Sequence, residues 1–213
     1  SIARLRNSLR DLVRVPQVGR FLLARMVYWD GMMGLFSFIA ILASSRLAWR
    51  AGEISVFGLL GLVAGAIGGV AGGVLDRRHG SKRTLIGSLA IMLVVSIVML
   101  LELPAVTVRG ADAALFASPG DRIFLVLAIV ASACLGAILA SSRSMMVRLS
   151  PADRLGEFFG LYVMVGRASS FAAPLLVALA TTAFGNQTTG VFSVALTFMA
   201  LGLVLLGRVH DAR

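Results

Sequence analysis

Apolar residues fall along this chain in six long blocks, near 20–44, 54–75, 84–104, 122–142, 158–181 and 190–207, separated by short stretches that hold most of the charge. Each block comes close to the roughly 20 residues that a helix needs to cross the hydrocarbon core of a bilayer. Open strands are excluded in that setting, because lipid offers no partner to unpaired backbone groups. The pattern therefore predicts an all-α integral membrane protein with six transmembrane helices. Ahead of the first block, in "SIARLRNSLRDLVRVPQ", Ile2, Leu5, Leu9, Leu12 and Val13 recur at helical spacing, with Arg4, Arg6, Arg10 and Arg14 between them. Residues 1–17 read as a basic amphipathic linker helix lying on the anionic inner leaflet and ended by Pro16. The six-span domain then covers 18–213.

The blocks are not alike. The third, "TLIGSLAIMLVVSIVMLLEL", and the sixth, "GVFSVALTFMALGLVLLG", are nearly free of charge and read as peripheral, lipid-facing helices. The other four carry more small, polar or charged residues. The order polar, small, apolar thus occurs twice, in spans 1–3 and 4–6, which cross the membrane in opposite senses. That is the layout of an inverted 3+3 repeat. In the second block Gly61, Gly65, Gly69 and Gly73 recur every four residues and predict a groove for close packing by a partner helix.

Composition agrees with the pattern. The 213 residues are 58% hydrophobic and only 14% charged, with a mean hydropathy of +0.92, whereas soluble domains carry about 25% charged residues. The net charge of +10 raises nucleic acid as a partner, but the positions of the basic residues remove it. With both termini inside, the inner segments hold fourteen lysines and arginines, among them Arg77, Arg78, Lys82, Arg83, Arg143, Arg148, Arg154 and Arg208. The outer segments hold four: Arg46, Arg50, Arg109 and Arg122. This bias predicts cytoplasmic termini by the positive-inside rule and accounts for most of the basicity, leaving the lipid bilayer, not nucleic acid, as the expected partner. The lone Cys134 permits no intrachain disulfide and reads as a small buried hydrophobe. His79 and His210 lack neighbours at ligand spacing, so no metal or other cofactor is expected, and no catalytic constellation points to an enzyme. The Asn186-Gln187-Thr188 sequon sits in a very short turn and reads as accidental. The chain opens on Ser1 and is expected to be a piece of something longer.

Two charges fall inside spans. Asp30 lies about ten residues into the first, hence ~15 Å deep, and Arg167 about nine into the fifth, hence ~14 Å deep. A charge at the bilayer centre costs at least ~2.5 kcal/mol even on lenient insertion scales. Both should face a cavity or each other. They read either as an ion pair that fixes helix packing or as a substrate or proton site. Trp29 and Tyr162 neighbour them and are expected to line the same cavity. Arg25 shares the first span but sits about 140° around the helix from Asp30, and is expected to snorkel inward. Gly31, Gly34 and Pro174 are expected to let these helices bend.

The stretch "GGVLDRRHGSKR" resembles the signature loop between the second and third helices of each half of major facilitator superfamily transporters. Gly72 and Asp76 fit its pattern of Gly-x-x-x-Asp-Arg-x-Gly-x-basic-basic, while Gly80 comes one residue late. A second stretch, "SSRSMMVRLSPADRLGEFFGLYVMVGRASSFAAPLL", together with "FLLARMVYWDGMMGLFSF", is similar to the C-terminal half of the Unknown Major Facilitator family. That family includes fungal vacuolar permeases associated with autophagy and amino-acid efflux. Glu157 to Tyr162 is the most specific part. The resemblance covers essentially the whole chain and implies helices seven to twelve of a twelve-helix permease. Spans 1 and 4 would line the central cavity, spans 2 and 5 would meet a second six-helix half (a missing N-terminal half or a homodimeric mate), and spans 3 and 6 would be peripheral. The function expected is half of a secondary active transporter in a bacterial inner membrane. It would move a small polar or zwitterionic solute, amino acids included, by alternating access. Asp30, Arg167, Arg25, Trp29 and Tyr162 would form the cavity, with Asp30 also able to carry a coupling proton. The segment Gly72, Asp76, Arg77, Arg78, Gly80, Lys82 and Arg83 would act as a conformational latch. The rival reading is a non-transporting scaffold, sensor or assembly module with the same half fold. A channel ranks last for want of a filter ring.

Overall fold

The computed structural model describes residues 16–103, 114–168 and 171–209. Within them run α1 (Pro16–Leu47), α2 (Ala51–His79), α3 (Ser81–Glu102), α4 (Pro119–Leu149), a 3₁₀ turn (Ala152–Arg154), α5 (Leu155–Ala168), α6 (Ala172–Phe184) and α7 (Gln187–Gly207). The stretch Ala152–Phe184 supplies one span, so six spans are long and apolar enough to cross a bilayer. The linker helix expected over 1–17 lies outside the described residues save for its end. Pro16, read as its stop, is the first residue of α1, a position where a missing N–H breaks no helical bond.

The helix ends follow from local chemistry. Pro119 opens α4 beside a reciprocal cap: Ser118 Oγ accepts from the amide of Asp121, and Asp121 Oδ2 accepts from the amide of Ser118. Asp121 Oδ1 also accepts from Trp49 Nε1 at 3.0 Å, tying the start of α4 to the turn after α1. Phe57, Phe116 and Phe124 pack around the Trp49 ring. The sequon read as accidental has a structural use. Asn186 Oδ1 accepts from the Thr188 amide, capping α7, and from Arg46 Nη2 at 2.8 Å. Arg46 Nε donates to Thr188 Oγ1.

The two triplets pack as an inverted repeat. α3 lies along α4, as α7 lies along α1, and α3 and α7 meet each other. The fit to α1 is close on the α7 side: a Cβ on Gly31 would come within 2.9 Å of the Ala195 carbonyl oxygen. Gly31 is thus a packing glycine, and α1 runs as one helix through it and Gly34. Pro174 stands in the first turn of α6, where its missing N–H is harmless.

The most intimate seam joins α2 to α4. Here the expected stripe needs correction. Added side chains at Gly68 and Gly72 would overlap the backbone of Ala133 and Ala137, and one at Gly136 would overlap the Gly65 carbonyl. Gly65 and Gly69 border the seam at ordinary contact distance and Gly61 more tightly, 3.2 Å from Ser132 Oγ, whereas Gly73 has nothing within 4 Å. Steps of four residues drift by 40° each, so Gly61 and Gly73 cannot share one face. The alternation 61, 65, 68, 72 stays in register.

Exposure is uneven among the spans. In the most apolar 18-residue window of each, only 17% of α2 and 13% of the fifth span are buried inside the bundle, against 39–50% for the other four. α2 presents Leu59, Leu62, Ile67 and Val70, all more than 60% exposed.

Candidate functional site

Where α1, α4 and α5 converge the packing is loose enough to leave a cavity of about 480 Å³. It is lined by Arg25, Trp29, Leu139, Arg143, Phe159, Tyr162, Val163, Gly166 and Arg167. That size falls in the range of small-molecule sites. Four of the five residues expected to form the cavity therefore meet on one wall: Arg25, Trp29, Tyr162 and Arg167. Asp30 does not line it; its side chain is buried at 3% exposure on α1.

Arg25 does not snorkel to the interface as expected. It is 5% exposed, and its Nη1 donates to the Tyr162 carbonyl at 3.0 Å. Its guanidinium lies over the Tyr162 ring, 3.7 Å from the centroid, and 5.2 Å from that of Trp29. Cation–π contact of this kind holds a desolvated guanidinium without neutralising it. Gly166 makes the arrangement possible, because a Cβ there would stand 2.7 Å from Nη1. Tyr162 is in turn fixed from behind. Its hydroxyl shares a 3.0 Å hydrogen bond with Ser142, whose Oγ also accepts from Tyr28 Oη at 3.0 Å. Three buried hydroxyls thus link α1, α4 and α5 beneath the cavity.

The segment Glu157-Phe158-Phe159-Gly160-Leu161-Tyr162 divides its labour by helical phase. Phe158 and Leu161 are buried in the core, whereas Phe159 and Tyr162, three apart on one face, line the cavity with ring centroids 5.3 Å apart. Glu157 stays outside and pairs with Arg154 at 2.6 Å. Sequence reasoning missed Arg143 and Phe159. Hydropathy places Arg143 in an inner loop one residue past the fourth span, but α4 runs on to Leu149. The signal was the absence of any helix breaker before Ser150-Pro151.

The predicted latch is not a loop but two helix ends joined at one residue. Asp76 to His79 form the last turn of α2, and Lys82 and Arg83 lie in the first turn of α3. Gly80 between them has φ 89° and ψ 151°, a conformation essentially reserved for glycine. This explains its place one residue later than the signature: α2 keeps helical geometry through His79 before the chain reverses. Arg77, Arg78 and His79 form the basic end of α2, and the two arginines complement the negative end of its dipole. Lys82 Nζ donates to the carbonyl of Gly207, one of the last in α7. Asp76 differs from the rest. It is 4% exposed, one turn beyond Gly72 on the buried face, and its Oδ1 has no donor among the described residues.

Comparison with known proteins matches this architecture. In a solved structure, the inward-open xylose transporter XylE from E. coli superposes with a TM-score of 0.66 at 16% identity, covering 92% of this chain and 48% of that one. The match shows the fold: six spans forming half of a major facilitator bundle. The uncharacterized MFS-type transporter YxiO of Bacillus subtilis is 25% identical over 211 residues, 99% of this chain and 45% of that protein. Autophagy-related protein 22 of Cryptococcus neoformans is 25% identical over 204 residues, 96% of this chain and 36% of that protein. The chain thus spans less than half the length of these relatives. A family model described as "Vacuole effluxer Atg22 like" matches residues 1–213. On fold, on sequence and over its entire length, the chain belongs to the Atg22-like vacuole effluxer family of the major facilitator superfamily.

Proposed function

We propose that this chain is one half of a secondary active transporter that moves a small polar or zwitterionic solute by alternating access. The observation that carries the reading is the cavity between α1, α4 and α5, a solute-sized space inside a half of a transporter fold, lined by guanidiniums and rings. A second six-helix half would close it. The poorly buried faces of α2 and the fifth span support that partner, since they are the surfaces this bundle covers least. The excess of arginines on one side supports cytoplasmic termini, in a bacterial inner membrane. Asp30 and Arg167 serve the solute or a coupling proton in this scheme, with Asp30 acting from behind the wall. Asp76 serves as a latch. Its donorless buried oxygen supports a contact made by the second half in one state and broken in the other.

The test is transport by the full-length protein in proteoliposomes. Replacing Asp30 by Asn should abolish or strongly alter uptake while folding persists. Unchanged kinetics across pH would remove both of its roles. Failure of the wild-type protein to move any solute would favour the scaffold reading.

A further inference from the structure

The cavity wall carries charge of one sign. Arg25, Arg143 and Arg167 line it together with the rings of Trp29, Phe159 and Tyr162, and no carboxylate is among the lining residues. We infer that this wall selects solutes by a carboxylate attached to a flat apolar body, and that it offers no counter-charge to an ammonium group. The inference rests on the transporter reading for the movement of a bound solute, but not for binding itself.

Arg25 is the central group of this wall. Its described partners are a carbonyl and two ring faces, all neutral, so its full charge persists in a span where charge is expensive. With Nη1 committed to Tyr162 and Nε sealed from the cavity, Nη2 is the nitrogen left to a solute. A carboxylate takes it through a charge-assisted N–H···O bond, supplying the missing counter-charge. The guanidinium is already held in place. Tyr162 supports it from below, Ser142 and Tyr28 hold Tyr162, and Gly166 leaves room for it to lie flat. A donor immobilised in advance loses little freedom on binding. Arg143, from α4, extends the positive field across the opening and draws anions toward it. The partly exposed rings of Phe159 and Trp29 provide the apolar surface for the rest of the solute. A zwitterion would be held here by its acid end.

Three probes with the same phenylethyl body test this by titration calorimetry on the full-length protein in mild detergent: 3-phenylpropionate, 2-phenylethylamine and phenylalanine. The carboxylate should bind, phenylalanine should compete with it without binding tighter, and the amine should not bind. Arg25→Gln should weaken 3-phenylpropionate by about tenfold or more, the loss of a charge-assisted contact. Gly166→Ala keeps every charge and favours helix, yet should weaken it comparably by displacing the guanidinium; it decides the matter if Arg25→Gln does not fold. Amine binding as tight as carboxylate binding overturns the inference. So does an absence of carboxylate binding, the outcome expected if carboxylates of the second half already neutralise the arginines. Normal binding by both variants overturns it as well. Uptake assays separate the two readings. Carboxylate binding without movement would remove the transport reading alone, and movement of the amine in preference would remove the carboxylate inference alone.

Discussion

Two seams hold equivalent places in the inverted repeat and are built in opposite ways. α2 meets α4 backbone to backbone, through Gly65, Gly68 and Gly72 on one side and Ala133, Gly136 and Ala137 on the other. The fifth span, which occupies the matching place beside α1, touches it far less and leaves the arginine-lined cavity between them. The topology is the same on both sides. Side-chain size makes the difference: residues without bulk let two helices close into a weld, whereas Arg25, Trp29, Phe159 and Tyr162 hold two helices apart and furnish the gap. In lipid this contrast matters more than in water, because helix association there draws on packing and hydrogen bonds with no hydrophobic driving force between helices.

The comparison can be broken most forcefully at the weld. Gly68→Val would drive a side chain into the Ala133 carbonyl, and overpacking of this severity costs about 3 kcal/mol. Thermal unfolding in detergent should show a large loss, and a melting temperature like the wild type would mean that the seam is not closed as described. At the open seam the damage should be smaller. Ser142→Ala strips the shared partner from Tyr28 and Tyr162, leaving buried hydroxyls unsatisfied at a cost of about 2 kcal/mol, and frees the Tyr162 ring beneath Arg25. The expected signature is moderate destabilisation together with weaker 3-phenylpropionate binding. Destabilisation with unchanged binding would uncouple the hydroxyl chain from the site. Least of all should come from Gly73→Ala, which fills open space and should leave stability unchanged or raise it by up to about 1 kcal/mol through helix propensity. A large loss there would restore the evenly spaced stripe.

Legibility differed by feature, for physical reasons. The six spans and the repeat could be read from hydropathy, because leaving water for lipid imposes a strong demand on every residue of a span. The cavity was half legible. A charge in an apolar run announces itself, so Arg25, Asp30 and Arg167 all stand out. The direction in which each points does not, and one helical turn separates a wall residue from a buried one. Arg143 is lost to a boundary drawn where hydropathy falls, although the helix continues to Leu149. The reciprocal cap of Ser118 and Asp121 is present in the sequence as Ser-x-x-Asp, a short signal easily overlooked between long apolar runs. Asn186 stands out as part of a modification motif, yet its small polar side chain at a turn is also a capping signal.

By itself the sequence determined how many times the chain crosses a bilayer, that its basic residues gather on one side, and which family it belongs to. Tertiary structure alone decided that Gly68 and Gly72 press on α4 while Gly73 does not, that Asp30 lies behind the wall while Arg25 forms it, and that Arg143 joins them. Periodicity marks residues that must avoid water, but lipid and helix interface are about equally apolar, so it cannot say which of the two a given side chain will meet. Only the assembled bundle distinguishes them, through the distance at which each helix stops approaching its neighbour.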